Sequence, residues 1–314
     1  MSFAEDTPTD EALHFIEDNK IAGVILFANH CRDSKSLKHW LADLKKSVHR
    51  PFIVAVDQEG GRVRRFRRNF PLLESPRYYG YHDRIDEYRS DLARTCEKLY
   101  EIGINLNLAP TLDLFDSGEK HVLDTRTFSD DVNTVIKFAE ITMSIHHEQG
   151  LCCCAKHFPG LGRTTGDPHQ VLSAADLTEK DFFDRELKPY GEMVKSGIES
   201  VMVTHISLPK IDDAPSLISS RIISGWLKDE LGFKGAVITD DLLMEGAGQI
   251  DPTPSLAGKS FNAGADFLLF GQKLKKADEM LERFSQMIEE NLISGDRLAD
   301  AKSRTDVFLK LLQN

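Results

Sequence analysis

The sequence predicts an α/β protein built as a single (β/α)8 barrel of the TIM type, and three observations point there. Short apolar runs recur along the chain, each followed by a longer amphipathic stretch. Most of the runs are continuous rather than alternating, as expected of parallel strands buried on both faces. Polar and ionisable residues gather just after the runs, where such barrels carry their sites. The length, 314 residues, suits one large barrel.

The runs are residues 23–27 (GVILF), 52–56 (FIVAV), 104–108 (INLNL), 151–155 (LCCCA), 200–204 (SVMVT), 236–239 (AVIT) and 266–270 (DFLLF). Between them, residues 36–48 place Leu37, Trp40, Leu41 and Leu44 on one helical face, and 85–102, 132–149 and 177–197 read as helices too. Strands alternating with helices imply right-handed βαβ units. Residues 246–257, rich in Gly, Pro and Ser, read as a loop, and 273–312 as two closing helices. No repeat, low-complexity tract or linker divides the chain, so residues 1–314 are expected to form one domain.

Seven runs are visible where a closed barrel needs eight. Ahead of Gly23, Thr7-Pro8-Thr9-Asp10 reads as a helix start, which leaves residues 1–4 for a short or degenerate first strand. The expectation is a stub of residues 1–4 pairing with residues 23–27. Otherwise the C-terminal segment or another chain, as in a homodimer, covers the opening.

The formal net charge of −11 argues against nucleic acid or an anionic membrane surface as partner, because phosphate repels such a chain. Three of the five cysteines are adjacent, Cys152, Cys153 and Cys154, and neighbours on a strand point to opposite faces, so they cannot share a metal. With no Cys-x-x-Cys pair, no apolar leader and no apolar run near the ~20 residues that span a bilayer, the expected location is the cytoplasm, without a membrane partner.

Three segments carry candidate chemistry. The first, residues 56–66 (VDQEGGRVRRF), places Asp57, Gln58 and Glu59 at a strand end, then paired glycines that allow a tight backbone excursion. Five arginines within residues 62–68 of an acidic protein point to at least one facing a ligand or an internal carboxylate. The second, residues 156–169, begins Lys156-His157 and is broken by glycines and a proline before Asp167, so it reads as a long loop able to act as a lid. Asp167 and His169 could form an acid/base pair near neutrality, or a solvated pair of no function. The third, residues 237–245 (VITDDLLME), has paired carboxylates with three readings: nucleophile with a neighbour, metal site, or helix N-cap. Asp241 fits the cap, which leaves Asp240 projecting from the strand end.

Taken in order, VDQEGGRVRRF, KHFPGLG with Asp-x-His following, and TDDLLMEG resemble the family 3 glycoside hydrolases. They are similar to the branch of β-N-acetylhexosaminidases of bacterial peptidoglycan recycling, over residues 23–271. The resemblance implies Asp240 as nucleophile and an Asp167–His169 dyad as acid/base on a mobile loop. It places sugar-binding roles on Asp57, Arg65, Arg126, Lys156 and His157, with no metal and no cofactor. The implied activity is retaining, exo-acting removal of terminal GlcNAc from peptidoglycan fragments. The alternatives are a β-glucosidase or glycoside phosphorylase on the same barrel, or a silent sugar-binding barrel; the lack of room for a further C-terminal domain favours the hexosaminidase branch. Leu161 stands where the family loop has a second His, and Pro168 where its dyad has Ser; these bear on loop closure and substrate choice.

Overall fold

The computed structural model describes residues 1–3, 9–115, 121–165, 171–272 and 274–312. The apolar runs form short buried strands: β1 (Gly23–Leu26), β2 (Ile53–Val56), β3 (Leu106–Asn107), β4 (Cys152–Phe158), β5 (Ser200–Val203) and β6 (Ala236–Thr239). They pair in that order as one parallel six-stranded sheet. The strand period of two splits each run between two cores. Val24, Leu26, Val54, Val56, Cys153, Val201 and Val237 pack outward among the helices. Ile25, Ile53, Ala55, Leu106, Cys152, Cys154, Met202 and Ile238 fill the interior with Phe308 of the last helix. The adjacent cysteines therefore face opposite ways, two inward and one outward.

The outer layer holds α1 (Asp10–Asp18), α2 (Ser34–Ser47), α3 (Ile85–Ile102), α4 (Val132–Glu148), α5 (Leu256–Ala263), α6 (Leu274–Glu289) and α7 (Gly295–Leu311). Four of their starts are capped: the side chains of Thr9, Asp33, Asp131 and Ser294 accept backbone N–H groups of α1, α2, α4 and α7. Residues 177–197, expected as one helix, break into Glu179–Asp181, a wider-turned Phe182–Glu186 and Lys188–Lys195, with Pro189 in the first turn of the last. Residues 246–257 are not all loop: Glu245–Gly248 is a short helix and Leu256 opens α5.

Two further segments flank the sheet. Residues 266–270 run beside β6, with Phe267 bridged in parallel to Ile238 and Leu242 N–H donating to the Leu269 carbonyl (3.0 Å). On the other flank Met1 lies across from Val24: its amine donates to the Gly23 carbonyl (3.1 Å), and Ile25 N–H donates to the Met1 carbonyl (2.8 Å). Phe3 anchors this stub edge-on between His30 and Trp40, with ring centroids 5.9 and 6.0 Å away. Ala4 lies outside the described residues. The result is a curled α/β half-barrel, consistent with the expected barrel of short or degenerate first strand but not fully closed. Among the described residues no backbone hydrogen bond joins residues 1–3 to 266–270, and an apolar cavity of about 320 Å³ lined by Ile25, Ile53, Phe267 and Leu269 marks the seam. A side-chain link spans the two flanks instead, Gln272 Nε2 donating to Asn29 Oδ1 (2.9 Å). Among the described residues no helix is long and apolar enough to cross a membrane.

Candidate active site

The C-terminal ends of β2, β4, β5 and β6 converge on a cavity of about 320 Å³ whose wall includes Asp57, Arg62, Arg65, Arg126, Lys156, His157, Leu161, Asp240 and Asp241. Its first side is built by the turn after β2. Asn107 Oδ1 accepts the Gln58 N–H (3.0 Å), and the buried Gln58 Oε1 accepts the N–H groups of Arg65 (2.9 Å) and Phe66 (3.2 Å). This folds Gln58–Gly60 against Val63–Arg64 as a small antiparallel hairpin. Gly60 makes the turn possible: its φ is +107°, and a Cβ there would stand 2.2 Å from the Glu74 carbonyl oxygen. The hairpin returns Arg65 to Asp57, where Nη2 meets Oδ2 at 2.7 Å.

Below this pair lies a buried charge network. Lys156 Nζ donates to Asp57 Oδ1 (2.7 Å) and contacts Glu59 Oε1 (2.6 Å). Arg126 grips Glu59 bidentately, Nε to Oε2 at 2.8 Å and Nη2 to Oε1 at 2.7 Å. Burial alone would raise both carboxyls, but the neighbouring cations reverse it. Lys156 and Arg65 hold Asp57 well below the usual carboxylate range, and Arg126 and Lys156 hold Glu59 at about 2. Burial likewise opposes the charge on Lys156, and Asp57 and Glu59 outweigh it, so its pKa rises.

His157 follows Lys156 on β4 itself, which extends beyond the apolar run that announced it. Its Nδ1 meets Asp113 Oδ2 at 2.7 Å and its Nε2 meets Arg126 Nη2 at 3.1 Å. A guanidinium only donates, so Nε2 accepts and the ring proton sits on Nδ1, facing the carboxylate. Both nitrogens of this buried ring are thus engaged by protein. Asp113 also accepts N–H groups of His157 (3.2 Å) and Leu161 (2.7 Å), which ties the start of the following loop to the network.

The opposite side is the end of β6. Asp240 Oδ1 accepts the Asp241 N–H (2.9 Å), Oδ2 accepts the Thr204 hydroxyl (3.1 Å), and His205 Nδ1 stands 3.9 Å from Oδ2. Asp241 does different work: Oδ1 accepts the N–H groups of Leu243 (2.9 Å) and Gly271 (2.8 Å), fastening the turn to the last flanking segment, and burial raises its pKa. Asp241 is therefore not the helix N-cap expected: the short helix Glu245–Gly248 is preceded by Met244 and has no side-chain cap, because the Asp241 carboxylate is taken up by the turn before it and by Gly271.

The structure therefore brings Asp57, Arg65, Arg126, Lys156 and His157 to one cavity with Asp240. Asp167, Pro168 and His169 lie outside the described residues. Among the described residues no group of three or more His, Cys, Asp or Glu side chains is arranged to hold a metal ion. The sequence alone assigns no role to Asp113 or Thr204, and it places Glu59 at a strand end without one. A signal for Asp113 was present, a lone carboxylate within the apolar stretch Leu112-Asp113-Leu114. Thr204 looked like an ordinary strand-end residue.

The chain belongs to glycosyl hydrolase family 3: the model of that family's N-terminal domain matches residues 1–306. It is a glycoside hydrolase. Among its relatives, a beta-hexosaminidase of Methylobacillus flagellatus is 31% identical over 279 residues, which span 87% of this chain and 80% of that protein. One of Bordetella avium is 33% identical over 272 residues, spanning 84% and 77%. NagZ from Neisseria gonorrhoeae, solved in complex with N-trifluoroacetyl-D-glucosamine, superposes with a TM-score of 0.79 at 26% identity, covering 99% of this chain and 96% of that one. A family 3 beta-N-acetylglucosaminidase from Paenibacillus shares the fold with a TM-score of 0.95 at 24% identity; the match covers 99% of this chain and 60% of that one.

Proposed function

We propose that the protein is a retaining, exo-acting β-N-acetylglucosaminidase that removes terminal GlcNAc from peptidoglycan fragments through a covalent glycosyl–Asp240 intermediate. The observation that carries this reading is the disposition of Asp240. Both of its oxygens accept hydrogen bonds, and the carboxylate lines a cavity whose other side presents Asp57, Arg65, Arg126 and Lys156. Fixed polar groups opposite a nucleophile hold sugar hydroxyls so that the anomeric carbon meets the attacking oxygen. An Asp240 oxygen bonds to that carbon as the glycosidic bond breaks, and the leaving oxygen takes a proton from His169, oriented by Asp167. Water then attacks the same carbon, His169 recovers its proton, and the bond to Asp240 breaks. The neutral groups of a sugar, hydroxyls and an amide, match side chains that offer both donors and acceptors.

Purified protein should hydrolyse nitrophenyl N-acetylglucosaminide faster than the corresponding glucoside, and added phosphate should leave the rate unchanged. A fluorinated slow substrate should label Asp240, and His169→Ala should cost roughly 10²–10⁴-fold, more for poor leaving groups. A label on Asp241 or Glu59 would remove Asp240 from its role, and equal losses across leaving groups would reduce His169 to a loop residue. Preference for the glucoside, or dependence on phosphate, would move the protein to another activity of the same fold.

A further inference from the structure

We propose that Thr204 is a positioning residue for the second half of the reaction, setting how readily the Asp240 carboxylate departs from the sugar; this rests on Asp240 being the nucleophile. Thr204 is fully buried at the end of β5 and is not part of the cavity wall. Its backbone is held on both sides: its N–H donates to the Phe158 carbonyl (2.9 Å), and its carbonyl accepts the Ser216 hydroxyl (2.6 Å). Ser216 is fixed in turn by accepting the Ile206 N–H (2.9 Å). This frame aims the Thr204 hydroxyl at Asp240 Oδ2, 3.1 Å away. The other oxygen is served by the backbone N–H of Asp241, which no side-chain substitution removes. The threonine hydroxyl is therefore a part of the support around this carboxylate that substitution can remove.

The two chemical steps ask opposite things of that hydrogen bond. When Asp240 attacks, its negative charge is spent in the new C–O bond, so a donor to the carboxylate weakens as the step proceeds. When water attacks the anomeric carbon, the C–O bond to Asp240 breaks and the electron pair returns to the carboxylate. The donor then strengthens along the step, because hydrogen bonds to charged groups are the stronger ones. Thr204 thus favours departure of Asp240 more than its attack.

The test compares Thr204→Val, which keeps the volume and loses the hydroxyl, with Thr204→Ser, which keeps the hydroxyl, and Thr204→Ala as a smaller hydroxyl-free variant. Loss of a hydrogen bond to a charged group corresponds to about 10- to 100-fold in rate. On an aryl N-acetylglucosaminide with a good leaving group, the Val and Ala variants should lose about that factor in kcat. KM should fall in parallel, leaving kcat/KM within a few-fold of wild type, and a burst of released phenol should precede the steady state. Enzyme labelled with the fluorinated substrate should reactivate more slowly by a similar factor, and the Ser variant should behave as wild type throughout. Unchanged kcat in the Val variant, a loss in kcat/KM without a burst, or a Ser variant as impaired as Val would overturn the proposal. If wild-type enzyme is labelled at a residue other than Asp240, the nucleophile assignment fails instead. A label at Asp240 that is released equally fast from wild type and Val overturns only the role of Thr204.

Discussion

Glu59 and Arg126 meet through two hydrogen bonds of 2.8 and 2.7 Å, with side chains only 2% and 8% exposed. Breaking such a pair by removing one partner strands a buried charge. Glu59→Gln should therefore cost about 3–5 kcal/mol in denaturant unfolding. The carboxyl lies at about 2 in the fold against an ordinary 4.5, so its folded pKa is depressed. Its contribution is present above the unfolded value and is lost as pH falls from roughly 4.5 towards 2. Unfolding midpoints across that interval should fall less steeply in the variant than in wild type; parallel curves would show that Glu59 is not the group responsible.

Asp113 organises the other end of this network. Its side chain is fully buried and faces three N–H donors, two from His157 and one from Leu161. Asp113→Asn would turn an amide N–H towards at least one of them. A loss of about 1–3 kcal/mol in stability is expected, together with a lower kcat/KM because His157 no longer holds Arg126. Measuring both separates the effects: stability lost with kcat/KM intact would mean that Arg126 keeps its place without His157.

The adjacent carboxylates at the end of β6 should answer differently to substitution. Asp240→Asn should abolish nearly all turnover with little change in the unfolding midpoint. Asp241→Ala orphans the N–H groups of Leu243 and Gly271 and should cost about 1–3 kcal/mol while retaining measurable activity. Paired melting and activity measurements on the two variants check this, and the reverse pattern would exchange their roles.

Phe3 is 3% exposed and packs edge-on against His30 and Trp40. Phe3→Ala should cost about 3–5 kcal/mol, the range for emptying a buried phenylalanine site. A thermal shift within error of zero would show that the stub at the sheet edge contributes nothing to stability.

The local rules of the chain made much of this legible. Continuous apolar runs announced the strands because a parallel strand covered on both faces has no polar side to alternate with. The helix start at Thr7-Pro8-Thr9-Asp10 is readable, since a cap needs only a side-chain oxygen next to the first turn. The stub at Met1 followed from counting runs against the strands a barrel requires. The helix at residues 177–197 was overestimated because periodicity reports a buried face and not the wider turn at Phe182–Glu186. The cap reading of Asp241 implies a helix start near residues 242–245, but the body of the helix at Glu245–Gly248 reads as loop because its glycines signal one when read alone.

By itself the sequence determined the parallel order of strands and helices, the strand ends where polar groups collect, and the motif that places Asp240 beside Asp241. All of these depend on neighbours within a few positions, where period and capping operate. Only the tertiary structure decided which charges meet. Glu59 and Arg126 are 67 positions apart, Asp57 and Lys156 99, and Thr204 and Asp240 36. No local pattern encodes such pairings, because they arise when neighbouring strand ends are brought around one cavity. The same holds for the seam: whether the sheet closes depends on how residues 1–3 and 266–270 pack against their separate neighbours.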